Sequence, residues 1–562
     1  MKKKLHILLT LVGILFMTNA CTDLKEEVLD ETLGKTLTDD EAADGIIAPV
    51  YALLPNIFQH TTYFALQEIS TDEAILPYRG GTDWGDNGIY LALHAHNTTS
   101  TDPNVRSTWD NLVQSISRSI TAITTLPTLK NANASIYLAE ARGMRAYYSM
   151  LTLDLFGIVF VKEDPGTPSK IVRGDEAVKY IESELLAVEP LVQPKSVVGP
   201  GRLNQAAVWG LLARLYLNAP VYRNLYGQAD FKSEDMDKVI QYTDKIIASG
   251  QAKLSSDYFA IFGNNNHTNE ELIFAVDQRP ELNGHNRMAY FSISGDQFPL
   301  AAFPAANGTD GPGITSDFYQ SWVQAYGAVD PKRDPRFYQE NMSIYSNKAD
   351  TCITDASYKI NRGIMRGQQY GAFRVNGAFV RCPDGKLKIG RLGYVTRSRP
   401  DLLVNFSEKI DFTTAGSNYN SGFRVEKYEF SSQSNTGRNK GEADIVIVRL
   451  ADIYMMRAEA KLRKGDAASA LADVNTVRAS RTATLAPPAL TSMTLDLLFR
   501  ERGFEFYWEM LRRTDMIRFG KYEGTWTEKT NADPKKRVFP IPQTAIDGAS
   551  NLPGYMKQND GY

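Results

Sequence analysis

Trp84 and Tyr90 stand in a stretch, TDEAILPYRGGTDWGDNGIYLALHAHN (71–97), that also holds Arg79, Asp83, Asp86 and Asn87. An aromatic ring packs on the apolar face of a sugar ring, while neighbouring amide, acid and guanidinium groups bond its hydroxyls. These residue types, so closely spaced, make a candidate carbohydrate site. The plainer reading is a loop anchored by one buried tryptophan. A second aromatic set, Tyr290, Phe291, Phe298 and Phe303, recurs in NRMAYFSISGDQFPLAAFPAANGTDG, and Arg366 and Tyr370 fall in another glycine-flanked loop. Trp322, in SDFYQSWVQAYG, has helical surroundings and reads as core.

Two other constellations carry less. His94 and His96 can face one side of a strand as metal ligands, but zinc needs a third ligand and a supporting shell, and neither stands nearby. They read as loop histidines. Glu501, Glu505 and Glu509 recur every four residues among Arg500, Arg502, Arg512 and Arg513. A glycosidase needs two carboxylates facing each other across a cleft. Three on one helical stripe, each near an arginine, read as structural ion pairs. There is no nucleophile elbow, phosphate loop or dinucleotide fingerprint. No catalytic residue, metal site or cofactor is expected.

The elements that would hold such loops are mostly helices. Trp209, Leu212, Ala213 and Tyr216 give W-x2-L-A-x2-Y, the first half of a tetratricopeptide-like pair. Asn204 is placed to cap that helix, and DMDKVIQYTDKIIASG (235–250) is its partner. SIYLAEARGMRAYYSMLTLDLFG (135–157) and DEAVKYIESELLAVEP (175–190) have the same character. A second hairpin spans 444–480, with Ile447, Leu450, Ala451 and Tyr454 on its first helix and Ala470 and Val474 on its second. Gly465 suits the left-handed turn and Asp466 the following cap. The first helix of this hairpin runs about two turns longer than the repeat consensus. Thr38 and Glu41 form a capping box at the start of the folded part, with the first helix over 38–54 and Pro49 inside it. Residues 55–105 read as irregular, and RERGFEFYWEMLRRTDMIRFGKY (500–522) returns to helix.

Between the helical regions, residues 251–443 are rich in glycine, asparagine and short apolar runs. A stretch that long and irregular is commonly functional surface. The expected fold is mostly α: a tetratricopeptide-like helical-pair scaffold (38–250 and 444–522), an inserted loop-rich subdomain containing short strands (251–443), and an extended tail (523–562). Helices on both sides of the irregular part imply one body rather than domains in series.

The 562 residues are 43% hydrophobic and 23% charged, and their net charge of −3 leaves no basic excess for a nucleic-acid partner. Lys2, Lys3 and Lys4 precede an apolar stretch (5–17) too short to span a membrane, which is the pattern of an export signal. Cys21 follows Thr18, Asn19 and Ala20, as the acylated cysteine follows a bacterial lipobox; ordinary cleavage near Ala20 is the alternative. Residues 1–20 are then the signal peptide, and 21–37 a polar, acidic tether. Cys352 and Cys382 are either bridged or two buried thiols, since spacing alone does not fix geometry.

TDDEAADGIIAPVYALL, RGMRAYYSMLTLDLFGIVFV, SGFRVEKYEF, RLADIYMMRAEA, DVNTVRAS, RERGFEFYWEMLRRTDMIRFG, VFPIPQTAI and QNDGY follow in order along nearly the whole chain. This ordered set resembles the SusD/RagB family of Bacteroidetes outer-membrane lipoproteins. Ile158, Val159 and Phe160 replace the family's usual Asp-Val-Pro, and Leu552 separates its usual Asn-Pro pair. Lys25, Glu26 and Glu27 resemble the acidic signal that sends such lipoproteins to the outer face. The resemblance implies a lipid-anchored lid on a SusC-like TonB-dependent transporter that captures oligosaccharide without chemistry. Peptide capture, a surface glycosidase or a pure assembly scaffold are the alternatives. It selects Trp84 first as a ligand-binding residue, with Asp83, Asp86, Asn87, Tyr90, Tyr290, Phe291, Arg366 and Tyr370 as further candidates.

Overall fold

The structure, a computed structural model, describes residues 38–78, 88–162, 168–279, 286–293, 297–298, 311–340, 351–393, 402–410, 417–431, 441–483 and 485–562. Eleven helices position the rest: α1 (Asp39–Tyr51), α2 (Pro103–Thr125), α3 (Ala134–Phe156), α4 (Gly174–Val188), α5 (Gln205–Arg223), α6 (Ser233–Ser249), α7 (Ser316–Tyr326), α8 (Leu450–Arg463), α9 (Ala467–Ser480), α10 (Leu495–Phe506) and α11 (Arg512–Arg518). Neighbours pack in chain order from α1 to α6, and α6 packs on α8, which pairs with α9. The α6–α8 contact continues the stack across more than 190 intervening residues, and the fold is helix-rich, as expected.

Local chemistry explains the helix ends. The Thr38 hydroxyl accepts from the Glu41 amide (3.2 Å), and the Glu41 carboxylate accepts from the Thr38 amide (3.0 Å). Asn204 accepts from the Ala207 amide (2.9 Å) and donates to the Ile273 carbonyl (2.8 Å), so one side chain caps α5 and ties it to a strand. Asn204→Ala should cost about 1–2 kcal/mol in denaturant unfolding, the loss of a cap and a buried hydrogen bond. Gly465 is left-handed (φ 86°) between α8 and α9, and Asp466 accepts from the Ser469 amide (3.0 Å).

The strands are short: β1 (Ala74–Ile75), β2 (Leu272–Val276), β3 (Gly313–Ile314), β4 (Tyr338–Gln339), β5 (Cys352–Ile353), β6 (Arg362–Met365), β7 (Tyr370–Ala372), β8 (Leu387–Arg391), β9 (Arg424–Glu426) and β10 (Ile445–Arg449). A five-stranded antiparallel sheet has the order β1-β3-β9-β6-β4, with Arg424 opposite both Gly313 and Met365. A smaller sheet runs β7-β8-β5, and a disulfide joins Cys352 in β5 to Cys382.

Two sequence expectations are corrected. Residues 445–449 are strand, not helix: β10 pairs antiparallel with β2 and is buried throughout. Four successive β-branched residues favour the pleated ribbon, so α8 begins only at Leu450 and its excess length over the repeat disappears. The helix expected over 500–522 is broken between Phe506 and Arg512, where Trp508 and Met510 both adopt φ 61°. Their amides are taken by buried carboxylates, Trp508 by Glu73 (2.7 Å) and Met510 by Glu68. Irregular residues 55–105 also contain helical turns at Leu54–Ile57 and Ile89–His94 and a π-turn at Ala65–Ile69. The tail carries a short helix at Gln543–Gly548.

Burial pushes the Glu73 carboxyl up to about 7, with Arg512 acting against it, and raises Glu68 well above the usual range. A folded-state pKa above the unfolded one means the native state binds the extra proton. Stability from this group is present below about pH 4.5 and declines as pH rises toward 7. Glu73→Gln keeps an acceptor for the Trp508 amide. It should stabilise the protein by roughly 1–3 kcal/mol at pH 8 and hardly at all at pH 4.5, read from denaturant midpoints at the two pH values.

Candidate functional site

The five-stranded sheet gathers segments that are far apart in sequence. β1 pairs with β3 through Ala74–Ile314 and Ile75–Gly313, and the Tyr78 carbonyl accepts from the Ser417 amide (2.5 Å). Described residues that border 79–87, 299–310 and 411–416 therefore meet at this end of the sheet. The first of these three segments holds Trp84 and the second Phe303. Trp84, Asp83, Asp86, Asn87, Arg79 and Phe303 lie outside the described residues.

Both flanks of residues 79–87 are pinned. Gly88, at φ 87°, starts the short helix Ile89–His94. His94 Nδ1 lies 2.9 Å from the Ile69 carbonyl and 3.1 Å from that of Ala74, and Nε2 lies 2.7 Å from that of Thr527. His96 Nε2 lies 2.8 Å from the Ser70 carbonyl, and its ring stacks on Tyr522 at 4.3 Å. Burial lowers both histidines, His94 against the pull of the carbonyls around its ring and His96 to about 3. Their ring nitrogens face carbonyls rather than other ligands, and no metal-binding group of three occurs among the described residues.

Other candidates are corrected by burial. Tyr90 is core, its hydroxyl 3.5 Å from Asn104 Oδ1. Tyr290 is core, its hydroxyl accepting from the Ser431 amide (3.2 Å), and Phe291 packs on Phe64 at 5.3 Å. None of the three offers a ring face to a ligand here: Tyr90, from the short helix Ile89–His94, and Tyr290 and Phe291, from the inserted subdomain, are all packed in the main hydrophobic core. Trp322 is buried as expected, stacked on Phe504 at 3.7 Å.

Arg366 follows β6 and keeps 19% of its side chain exposed. It donates to the Tyr319 hydroxyl (2.9 Å) and Asp330 (2.9 Å), and lies 4.9 Å from the centre of Phe337. Burial works against the Asp330 charge, but the Lys332 amide and Arg366 hold its carboxyl below the usual range. This half-open group of guanidinium, phenol and carboxylate suits hydroxyl recognition. Tyr370, half-buried in β7, belongs to the smaller sheet and is not part of it.

The glutamate stripe is structural, though not as its spacing implied. Glu509 lies beyond the end of α10. Glu505 pairs with Arg449 (2.8 Å), Arg481 (2.5 Å) and Arg336 (3.3 Å), and Glu509 with Arg449 (2.7 Å) and Lys427 (2.6 Å). Arg502, Arg512 and Arg513 pair instead with Asp452 and Asp515, Asp72, and Asp154. Sequence reasoning missed a cleft of about 390 Å³ between β6, β9 and residues 257–263. Burial raises Glu426 there well above the carboxylate range, while Arg362, the Asn264 amide and Lys359 hold Glu429 below it against burial.

A sequence profile of the SusD family matches residues 258–562. The chain belongs to the SusD family. It is 28% identical over 448 residues to the starch-binding protein SusD of Bacteroides thetaiotaomicron, covering 75% of this chain and 72% of that protein. It is 23% identical over 331 residues to the SusD-like protein P25 of Formosa agariphila, covering 57% and 54%. Its fold is shared with surface glycan-binding protein A of Bacteroides thetaiotaomicron, solved in complex with laminarihexaose, at a TM-score of 0.64 and 18% identity over 92% of this chain and 99% of that one. The same protein from Bacteroides fluxus gives 0.65 and 16% over 94% and 100%.

Proposed function

We propose that this SusD-family chain is a cell-surface lipoprotein that captures an oligosaccharide and passes it to a SusC-like TonB-dependent transporter, with no chemistry on the ligand. One observation carries the reading: similarity across three quarters of the chain to a protein named for binding starch. The β1–β3 pairing supports it, because it brings together described residues that flank the segments holding Trp84 and Phe303. Trp84 is the proposed stacking platform, with Asp83, Asp86 and Asn87 as hydroxyl partners and Arg366 as a flanking donor. The helical stack forms one body with the inserted subdomain and faces the transporter. Cys21 is the acylated residue that holds the chain at the outer membrane, facing outward.

Isothermal titration against a panel of neutral, acidic and amino-sugar oligosaccharides tests the reading. It predicts saturable binding to one class and unchanged ligand afterwards. New reducing ends would contradict binding without turnover, and their loss in Glu426→Gln would assign the cleavage to the β6–β9 cleft. Capture by peptides alone would favour the peptide-binding alternative.

A further inference from the structure

A groove of about 780 Å³ runs beside α1, twice the volume of the β6–β9 cleft. The open part of its apolar wall includes Ala48, Ala52, Pro55, Val197, Val198 and Pro200, above a floor of buried Ile47, Leu54 and Val276. Val197 is 66% exposed, and Ala48 and Ala52 lie exposed along the α1 face. Apolar surface of this kind gains roughly 25 cal/mol per Å² when covered.

The nearest chain end supplies a cover. Residues 21–37 lie outside the described residues and join α1 at Thr38, six positions before Asp44 in the groove wall. They carry Leu24, Val28, Leu29, Leu33 and Leu37 among their acidic residues. A tether meant only to be solvated needs no such aliphatic set. We propose that residues 22–37 fold back along α1 and dock in this groove, with their aliphatic side chains on its wall.

The reach is sufficient. From Asp44 to Pro55 a helical path covers roughly 16 Å, whereas sixteen extended residues cover roughly 50 Å. The capping box fixes Thr38 in an extended conformation (φ −68°, ψ 156°), so the chain leaves the helix axis at its first turn. Arg202, Arg279 and His267 line the groove together with Asp44, Asp277 and Asp444. With charges so mixed, apolar contact sets the docking. A second apolar cleft, around Val329, Leu485 and Leu490, lies beside α7, α9 and α10. That is the far end of the helical stack from Thr38, whereas the α1 groove begins within six residues of it.

Taken with the lipoprotein reading, on which this consequence rests, docking would hold the acylated Cys21 at the α1 end of the stack and fix which end faces the membrane. Hydrogen exchange on the mature chain (21–562) carrying Cys21→Ser tests the docking without the lipid. Amides of residues 24–33 should exchange at least about tenfold more slowly than in the free 22–37 peptide. Val197→Asp, at an exposed wall position that the fold does not need, should return them to the free-peptide rate. Free-peptide rates in the parent, or protection that survives Val197→Asp, would overturn the proposal. Mass analysis of Cys21 in native membranes tests the lipid anchor separately, so one can fail without the other.

Discussion

Glu505→Ala lowers stability by about 3–5 kcal/mol, because it strands buried guanidinium groups without their counter-charge. Glu505 is fully buried and pairs with Arg336, Arg449 and Arg481. Around it, five cations (Arg336, Lys427, Arg449, Arg478, Arg481) meet five carboxylates (Glu271, Asp334, Glu501, Glu505, Glu509). Burial alone would raise the Glu505 carboxyl. Arg481, Arg449 and Arg336 outweigh it and hold the group well below the usual range. The network joins α10 to the ends of β2 and β10, so the loss should reduce cooperative unfolding as well as its midpoint. Denaturant titration followed by circular dichroism measures both. The exposed Lys170–Glu176 pair is the control: Lys170→Ala should leave the midpoint unchanged. Equal small effects from the two substitutions would mean the cluster does not hold the subdomain to the stack.

The stack was legible because its signals are local. Trp209, Leu212, Ala213 and Tyr216 repeat at helical spacing, and Thr38, Asn204 and Asp466 are cap residues whose bonds lie within a few positions. Where the reading failed, a distant partner decided. The β-branched run at 445–448 becomes a strand by pairing with residues 272–276, and the break after Phe506 is held by Glu68 and Glu73 from more than 430 residues away. Periodicity contains neither fact.

The site was less legible. Aromatic composition drew attention to Tyr90, Tyr290 and Phe291, but composition does not separate a ring facing solvent from one that fills a core, and all three are buried. Arg366 was marked by its loop, yet its working partners, Tyr319 and Asp330, were not, since they meet it only through the packing of α7 on the sheet. The bridge between Cys352 and Cys382 likewise depended on strand register, which places β5 beside β8.

Trp84→Ala should weaken oligosaccharide binding about 30-fold or more while leaving the thermal midpoint nearly unchanged. Removing a central aromatic anchor commonly costs 2 kcal/mol or more, and 1.4 kcal/mol is a tenfold change in affinity. The unchanged midpoint is expected because the described flanks are tied down by Tyr78 to Ser417 and by His94 to Ile69, Ala74 and Thr527. Arg366→Ala should have a smaller effect, since Asp330 and Tyr319 already occupy its guanidinium. Lost binding accompanied by unfolding would identify Trp84 as core and move the site elsewhere.

Titration of the intact protein with the oligosaccharide it binds best, with and without any outer-membrane barrel that co-purifies with it, tests the central claim most directly. The account predicts saturable binding by the chain alone, abolished by Trp84→Ala, and tighter binding when the barrel is present. Oligosaccharide binding that Trp84→Ala leaves intact, or a chain that isolates from its native envelope with no barrel attached, would contradict it.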